Sequence, residues 1–383
     1  MSAAPSAAST ATATDVVVVG GGIAGLSAAA ALSATHRVVL VEQERTPAHH
    51  ASGRSASVLS ETSGHPMVCA LARLSRPFFE RPPDGFADHP LLGPRGLMWV
   101  GRDGDQALLD ALAAAAARVA PTARRVDADE VAAVLPSFRR EAVAGGGVHE
   151  PDAMSIDTAA LLQGYVRTLR ANEGILATSH EAIELRRTDD GWLVGTAEAW
   201  WDAPTVVNAS GAWGDVVAER AGVTPLGLTP LRRTAAIART DADLASWPLV
   251  MDCAGRYYCE PETGGLLVSP ADETSSIPVD AQPDEVDVAI ALERVAEASG
   301  LSLRSIVQAW AGLRTFAPDR GPVVGEAHDA PGFWWLVGQG GAGIKTAPAM
   351  SAMIARLIRG EATTDDEESL GLTVEALSPS RLR

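Results

Sequence analysis

The chain has no apolar run long enough to cross a bilayer, which excludes a helical transmembrane segment. Its opening stretch, MSAAPSAASTATAT, lacks the basic start and apolar core of a secretion signal. Residues 1–14 therefore read as a disordered tail and the protein as cytoplasmic. Cysteine is scarce. Cys69, Cys253 and Cys259 are an odd, scattered set, which excludes a disulfide framework and suits reduced thiols. No paired Cys or His accompanies Cys253 and Cys259, and the adjacent His49 and His50 are expected to diverge, so no metal site is expected. Basic charge is also in deficit. Lys and Arg total 31 against 48 Asp and Glu, for a net charge of −17 without a basic stripe. That balance excludes nucleic acid or an anionic membrane as partner. There is no short-period repeat, and no Ser-His-Asp or paired-carboxylate constellation. What remains, at 383 residues and 46% apolar, is an ordinary globular composition with length for two cores.

The most informative stretch is DVVVVGGGIAGLSAAAALSATHRVVLVE, Asp15 to Glu42. Val16 to Val19 read as a short buried strand. Gly20, Gly22 and Gly25 follow in G-x-G-x-x-G spacing and lead into an Ala-rich helix; a second strand ends at Glu42. Gly20 permits a tight turn, Gly22 lets backbone approach a pyrophosphate, and Gly25 lets helix and strand pack closely. Free N–H groups at the helix start then face phosphate, and Glu42 can accept from a ribose diol. Strand, glycines, helix, strand and acid in this order indicate a dinucleotide site, without saying which dinucleotide.

Farther on, helices are expected at Pro66–Glu80, Asp105–Val119, Asp127–Leu135 and after the Asp157 cap, the last closed by Gly174. Thr205 to Asn208 reads as a strand entering the small-residue turn Ala209–Trp213. From Leu226 to Pro270 the pattern changes to strands punctuated by Gly and Pro, indicating a separate antiparallel sheet. Pro283–Ser299 reads as a helix and Ser302–Trp310 as a strand. Near the C-terminus, Phe333–Val337 enters a glycine cluster and a long helix, repeating the layout of the opening unit. Two such turns at opposite ends of the chain imply a cofactor longer than the first site holds.

The ordered segments HHASGRSAS, DHPLLGPR, VNASGAW, TPLRRTA, WAGLRTF, GFWWLVGQGGAGIKTAPAM and LSPSRLR resemble the D-amino acid oxidase superfamily of FAD enzymes. Within it the likeness is to the branch containing bacterial D-arginine dehydrogenase. The resemblance implies an α/β fold, α+β overall: a Rossmann-like FAD domain of discontinuous segments and a substrate domain of antiparallel sheet. It places residues 15–83, 145–225 and 310–383 in the FAD domain, and 84–144 with 226–309 in the substrate domain. By the same likeness Gly22, Ile23 and Ala24 approach the pyrophosphate, while Glu42 and Gln43 sit by the ribose. Ser52, Arg54, Ser55, Ala56 and Ser57 run along the cofactor, Ile183 lies near the adenine, and Gly211 and Trp213 lie under the ribityl chain. Gly340, Gly341, Ala342, Gly343, Ile344 and Lys345 bring helix N–H groups towards the flavin pyrimidine carbonyl, where reduced flavin gains negative charge.

Oxidation of an amino acid at Cα needs its carboxylate fixed, and the planar fork of arginine suits that task. The resemblance assigns the task to Arg233 and Arg314, helped by Tyr258; Arg232 points the other way on its strand, and Tyr257 packs. No dedicated base is needed if the substrate amine is neutral. The arginine-oxidising branch carries an acid, a histidine and a tyrosine where this chain has Leu97, Val58 and Ser63. A guanidinium facing Leu97 loses a charge pair, so neutral or acidic D-amino acids are expected rather than basic ones. Lys345 replaces a glutamine of that branch; stabilising anionic flavin, holding an acidic substrate, handling oxygen and a plain helix role all remain open. The expected partners are a small amino acid or related carboxylate and an electron acceptor. Oxidation of a 2-hydroxy or secondary amino acid, or flavin binding without catalysis, are the alternatives.

Overall fold

The computed structural model describes residues 11–383. Its central strand is Val16–Val19, four β-branched residues buried on both faces. Val16 and Val18 join one apolar cluster, and Val17 and Val19 join another, because successive side chains on a strand point oppositely. Val38–Glu42 and Thr205–Asn208 flank it in parallel. Ile175–Thr178 pairs outside the first and Phe333–Val337 outside the second, both parallel. Val323–Glu326 closes that edge antiparallel, giving a six-stranded sheet from distant parts of the chain.

Helices Ile23–Leu32, Pro66–Glu80, Thr158–Ala171 and Gly343–Ile358 bury their apolar faces on one side of this sheet. On the other side Trp192 and Trp201, from a small four-stranded sheet, pack with Trp335 and Phe333. Thr12–Ala13 form the edge of that small sheet, paired with Trp201 and Asp202, so the expected tail is ordered at these residues. Residues 1–10 of that expectation lie outside the described part. Helix Thr158–Ala171 is capped by Asp157 as expected, but its left-handed exit falls on Glu173 (φ 62°), not Gly174. Gly174 is needed for space instead, since a Cβ there would stand 2.2 Å from Leu169 Cδ1.

The second large sheet has nine strands, with Thr229–Ala238 and Ile306–Phe316 forming its longest antiparallel pair. It is mixed, not purely antiparallel: Leu249–Asp252 runs parallel to Leu97–Gly101. Two segments expected on the cofactor side, Gly146–Glu150 and the stretch from Trp310 to Phe316, pair into this sheet. Period-two patterning shows that such segments are strands, but their partners are fixed by tertiary register.

Candidate active site

The C-terminal ends of Val16–Val19, Val38–Glu42 and Thr205–Asn208 open onto one continuous cleft. In parallel α/β sheets this is where ligands bind. The glycine turn forms its floor. Gly20 has φ +106°, and a Cβ there would lie 2.8 Å from Ala209 O. A Cβ on Gly25 would fall 1.8 Å from Gly20 O, so helix and turn meet only through glycine. Gly22 is different: its Cβ would meet only Ser52 Oγ, at 3.3 Å, on a side that opens to the cleft. Ser52 Oγ also accepts from Ile23 N at 2.9 Å, fixing the following segment against the helix start.

Glu42 ends its strand with both carboxylate oxygens engaged by backbone. Gly21 N donates to one at 2.5 Å and Glu44 N to the other at 2.7 Å. Burial raises its carboxyl above the ordinary value, and those two N–H groups partly offset the rise. Gly21 was not singled out by the motif, yet its Cβ would stand 2.8 Å from Glu42 Oε2. The run of three glycines was the available signal.

Two helices begin at this cleft without a side-chain cap, Ile23–Leu32 and Gly343–Ile358. Elsewhere Asp127, Asp157, Asp284, Thr364 and Thr373 cap their helices, whereas Gln106–Ala116 and Gly214–Arg220 also start without a side-chain cap. Apart from Ile23 N, which Ser52 Oγ already accepts, such starts leave backbone N–H groups for an anionic ligand. Gly20, Gly22, Ile23, Ala24, Glu42, Gln43, Ser52, Arg54, Ser55, Ala56, Gly211, Trp213, Gly340, Gly341, Gly343 and Ile344 all line the cleft. Gly25, Ser57, Ala342 and Lys345 stand outside the lining, as does Ile183, which is 49% exposed and spends its N–H on Gly195 O. Its neighbour Ala182 lines the cleft instead. Arg54 binds inward to Ala281 O and Ala311 O, each at 2.9 Å, tying two chain segments together.

The opposite wall is built by strand pairing. Leu231 lies opposite Arg314 and Arg233 opposite Gly312, which puts the two arginines on one face. Their guanidinium carbons each stand 5.9 Å from the ring centre of Tyr258. Arg233, Tyr258 and Arg314 thus converge at the cleft. Arg232 points the other way, to Asp284 and Asp287. The arginines differ in charge balance. Arg233 donates to Asp272 O at 2.7 Å and to Glu273 Oε1 at 3.3 Å. Arg314 has no hydrogen-bond or ion-pair partner among the described residues. Burial, and then the neighbouring Arg233 cation, draw it down to about 10, which leaves it charged at neutral pH. Thr315, also in the cleft lining, has a buried hydroxyl without a partner. Strand alternation alone does not point to it.

The residues expected to form the side-chain pocket lie behind this wall. Leu97 is fully buried in an apolar cluster with Tyr258, Ala235 and, at its edge, Val58. Neither Leu97 nor Val58 lines the cleft. Ser63 is turned to Lys345, whose Nζ donates to Ser63 O (2.7 Å), Ser63 Oγ (2.7 Å) and Ser60 O (2.9 Å). All three donors of Lys345, the sole lysine in the sequence, are spent on one turn. It is 6% exposed, and burial lowers its pKa. Of the roles left open for Lys345, the contacts support a clamp holding the helix start to residues 60–63. Glu150 grips the same turn by accepting from Ser60 Oγ and Glu61 N, each at 2.7 Å.

Comparison with known proteins agrees with this geometry. The family described as DAO, FAD dependent oxidoreductase, matches residues 15–357. The chain belongs to the DAO family. Glycine oxidase of Pseudomonas aeruginosa is 29% identical, over 90% of this chain and 94% of its own length. Glycine oxidase of Geobacillus kaustophilus superimposes with a TM-score of 0.79 at 23% identity, covering 94% of this chain and 98% of its own. L-Proline dehydrogenase from P. horikoshii gives 0.84 at 19% identity, over 97% and 98%. At these identities the two structures show a shared fold. The DAO chain is therefore an FAD-dependent oxidoreductase, and its glycine turn, buried Glu42 and two uncapped helix starts fit FAD. No helix among the described residues is long and apolar enough to cross a membrane.

Proposed function

We propose that this DAO-family protein oxidises the Cα–N bond of a small amino acid, neutral or acidic rather than basic, with the D-enantiomer preferred among chiral substrates. The observation carrying the reading is Arg314, a charged guanidinium in the cleft wall without a partner among the described residues. An unpaired, partly buried cation is stabilised when a ligand brings the opposite charge, and a carboxylate matches its fork bidentately. Arg233 is already met by Asp272 O and Glu273, so the wall has one unbalanced positive charge and suits a monocarboxylate best. The curated glycine oxidases and the proline dehydrogenase structure are named for amino-acid substrates, which supports this class. The preference for D-substrates rests on the resemblance of the sequence segments, and the exclusion of basic side chains on the cationic wall.

Bound FAD supplies the two-electron oxidant that accepts hydride from Cα. Arg314 and Tyr258 hold the carboxylate, Arg233 fixes the strand beside them, and the apolar layer of Ala235 and Leu97 backs the wall. The amine nitrogen gives up a proton as the carbon loses hydride, leaving an imino acid that water converts to a 2-oxo acid and ammonia. A 2-hydroxy acid would use the same arginine and release no ammonia. Anaerobic mixing of holoenzyme with glycine, D- and L-amino acids and 2-hydroxy acids tests the reading. Flavin bleaching with a small neutral D-amino acid and release of ammonia are expected. Reduction by hydroxy acids alone contradicts it, and fastest reduction by D-arginine contradicts the exclusion of basic side chains.

A further inference from the structure

Two histidines unused by this chemistry stand at the rim of the cofactor cleft. His49 and His50 belong to the segment that wraps the cofactor, and Asp280 reaches them from a loop of the opposite half. His49 Nε2 lies 3.7 Å from Asp280 Oδ2, and His50 Nδ1 lies 3.8 Å from Asp280 Oδ1. One donor atom from each of the three residues lies within 4.8 Å of the others. Neighbouring ligands of a tetrahedral Zn²⁺ with Zn–N bonds near 2.0–2.1 Å stand roughly 3.3–3.5 Å apart. Each histidine thus faces its own Asp280 oxygen slightly beyond that spacing, and small turns of the exposed His49 and Asp280 side chains bring one oxygen, Oδ2, to both rings. The adjacent rings do not diverge as expected: their centres are 4.9 Å apart, edge to face.

The surroundings match a metal site. His50 Nδ1 is buried and has no hydrogen-bond partner. Its other nitrogen, Nε2, sits 3.1 Å from Glu44 Oε1, the carboxylate–histidine arrangement that orients a metal-bound ring. Arg54 takes Asp280 Oδ1 and leaves Oδ2 facing His49. The Asp280 and Glu44 carboxylates outnumber the one Arg54 cation around the two rings.

We propose that His49, His50 and Asp280 bind a borderline divalent cation of the Zn²⁺ or Co²⁺ class. Imidazole donors favour such ions over Mg²⁺ and Ca²⁺, which prefer all-oxygen shells. The consequence follows from where the ligands sit. Val279 and Ala281, the neighbours of Asp280, line the cleft, so a cation bridging Asp280 to the histidines ties that loop across the cofactor.

Equilibrium dialysis of untagged holoenzyme against ZnCl₂, with metal content measured afterwards, tests the site, and FAD release in excess buffer tests the tie. One Zn²⁺ per chain is expected, with affinity at least tenfold weaker in Asp280→Asn and His49→Ala and unchanged in His36→Ala. Zn²⁺ should slow FAD release in the wild type and leave Asp280→Asn unaffected. His49 is 41% exposed, so its variant keeps the fold if Asp280→Asn does not. Equal Zn²⁺ binding by wild type and His49→Ala, or none by the wild type, overturns the site. Zn²⁺ bound without slower FAD release overturns the tie.

Discussion

In the function proposed above, the two walls of the cleft recognise their ligands with different parts of the chain. The cofactor wall presents backbone: a glycine turn, a strand end and two helix starts whose N-cap residues, Gly22 and Ala342, supply no capping side chain. The substrate wall presents side chains, two arginines and a tyrosine held on paired strands. Backbone recognition constrains sequence locally, because only glycine leaves the needed space. Side-chain recognition constrains it through register, since Arg233 and Arg314 meet only once their strands pair.

The sharpest way to break this comparison is to add a side chain to the backbone wall. The Gly22 Cβ position has room, so Gly22→Leu should fold and fill the pyrophosphate path with its branched end. Loss of essentially all bound FAD with an unchanged far-UV circular dichroism spectrum is expected. A yellow Gly22→Leu protein would remove Gly22 from the cofactor path. Between the walls, Lys345→Met leaves Ser60 O, Ser63 O and Ser63 Oγ without their donor. Unmatched buried acceptors cost about 1–3 kcal/mol, which thermal unfolding would register as a lower Tm. An unchanged Tm would show that the turn finds other partners.

On the substrate wall, Arg233→Ala should slow flavin reduction only a few-fold, because Arg233 is already paired with Asp272 O and Glu273. A loss as large as that from removing Arg314 would mean both arginines bind substrate directly. The smallest effect concerns pH. Burial raises the Glu42 carboxyl, and its ionised form is the better acceptor for ribose hydroxyls. FAD affinity should therefore weaken as pH falls through that raised value, and Glu42→Gln should flatten the dependence. Equal slopes in both proteins would detach Glu42 from the cofactor.

The cofactor wall was almost fully legible in the sequence, because strand Val16–Val19, the glycine spacing and Glu42 lie within one short unit. Gly21 escaped because its constraint comes from Glu42, across the sheet. Ile183 stands outside the cleft lining while Ala182 is in it, since a loop gives no periodicity to fix which neighbour faces inward. On the opposite wall the convergence of Arg233, Tyr258 and Arg314 at the cleft was legible only through family likeness. Their unequal charge balance was not, because Glu273 reaches Arg233 from another loop. Leu97, Val58 and Ser63 show the limit of such transfer: their positions matched a pattern, but their side chains pack behind the wall. Lys345 teaches the same lesson, as a charge whose three acceptors lie far back in the sequence.

The central claim is that Arg314 is the unpaired charge awaiting a carboxylate. Anaerobic stopped-flow reduction of Arg314→Ala holoenzyme, beside the wild type and with the substrate that reduces it fastest, tests this most directly. Losing a charge-assisted hydrogen bond costs about 1.5–3 kcal/mol, so reduction at limiting substrate should fall roughly ten- to hundredfold with FAD still bound. Reduction of Arg314→Ala at the wild-type rate would contradict the account.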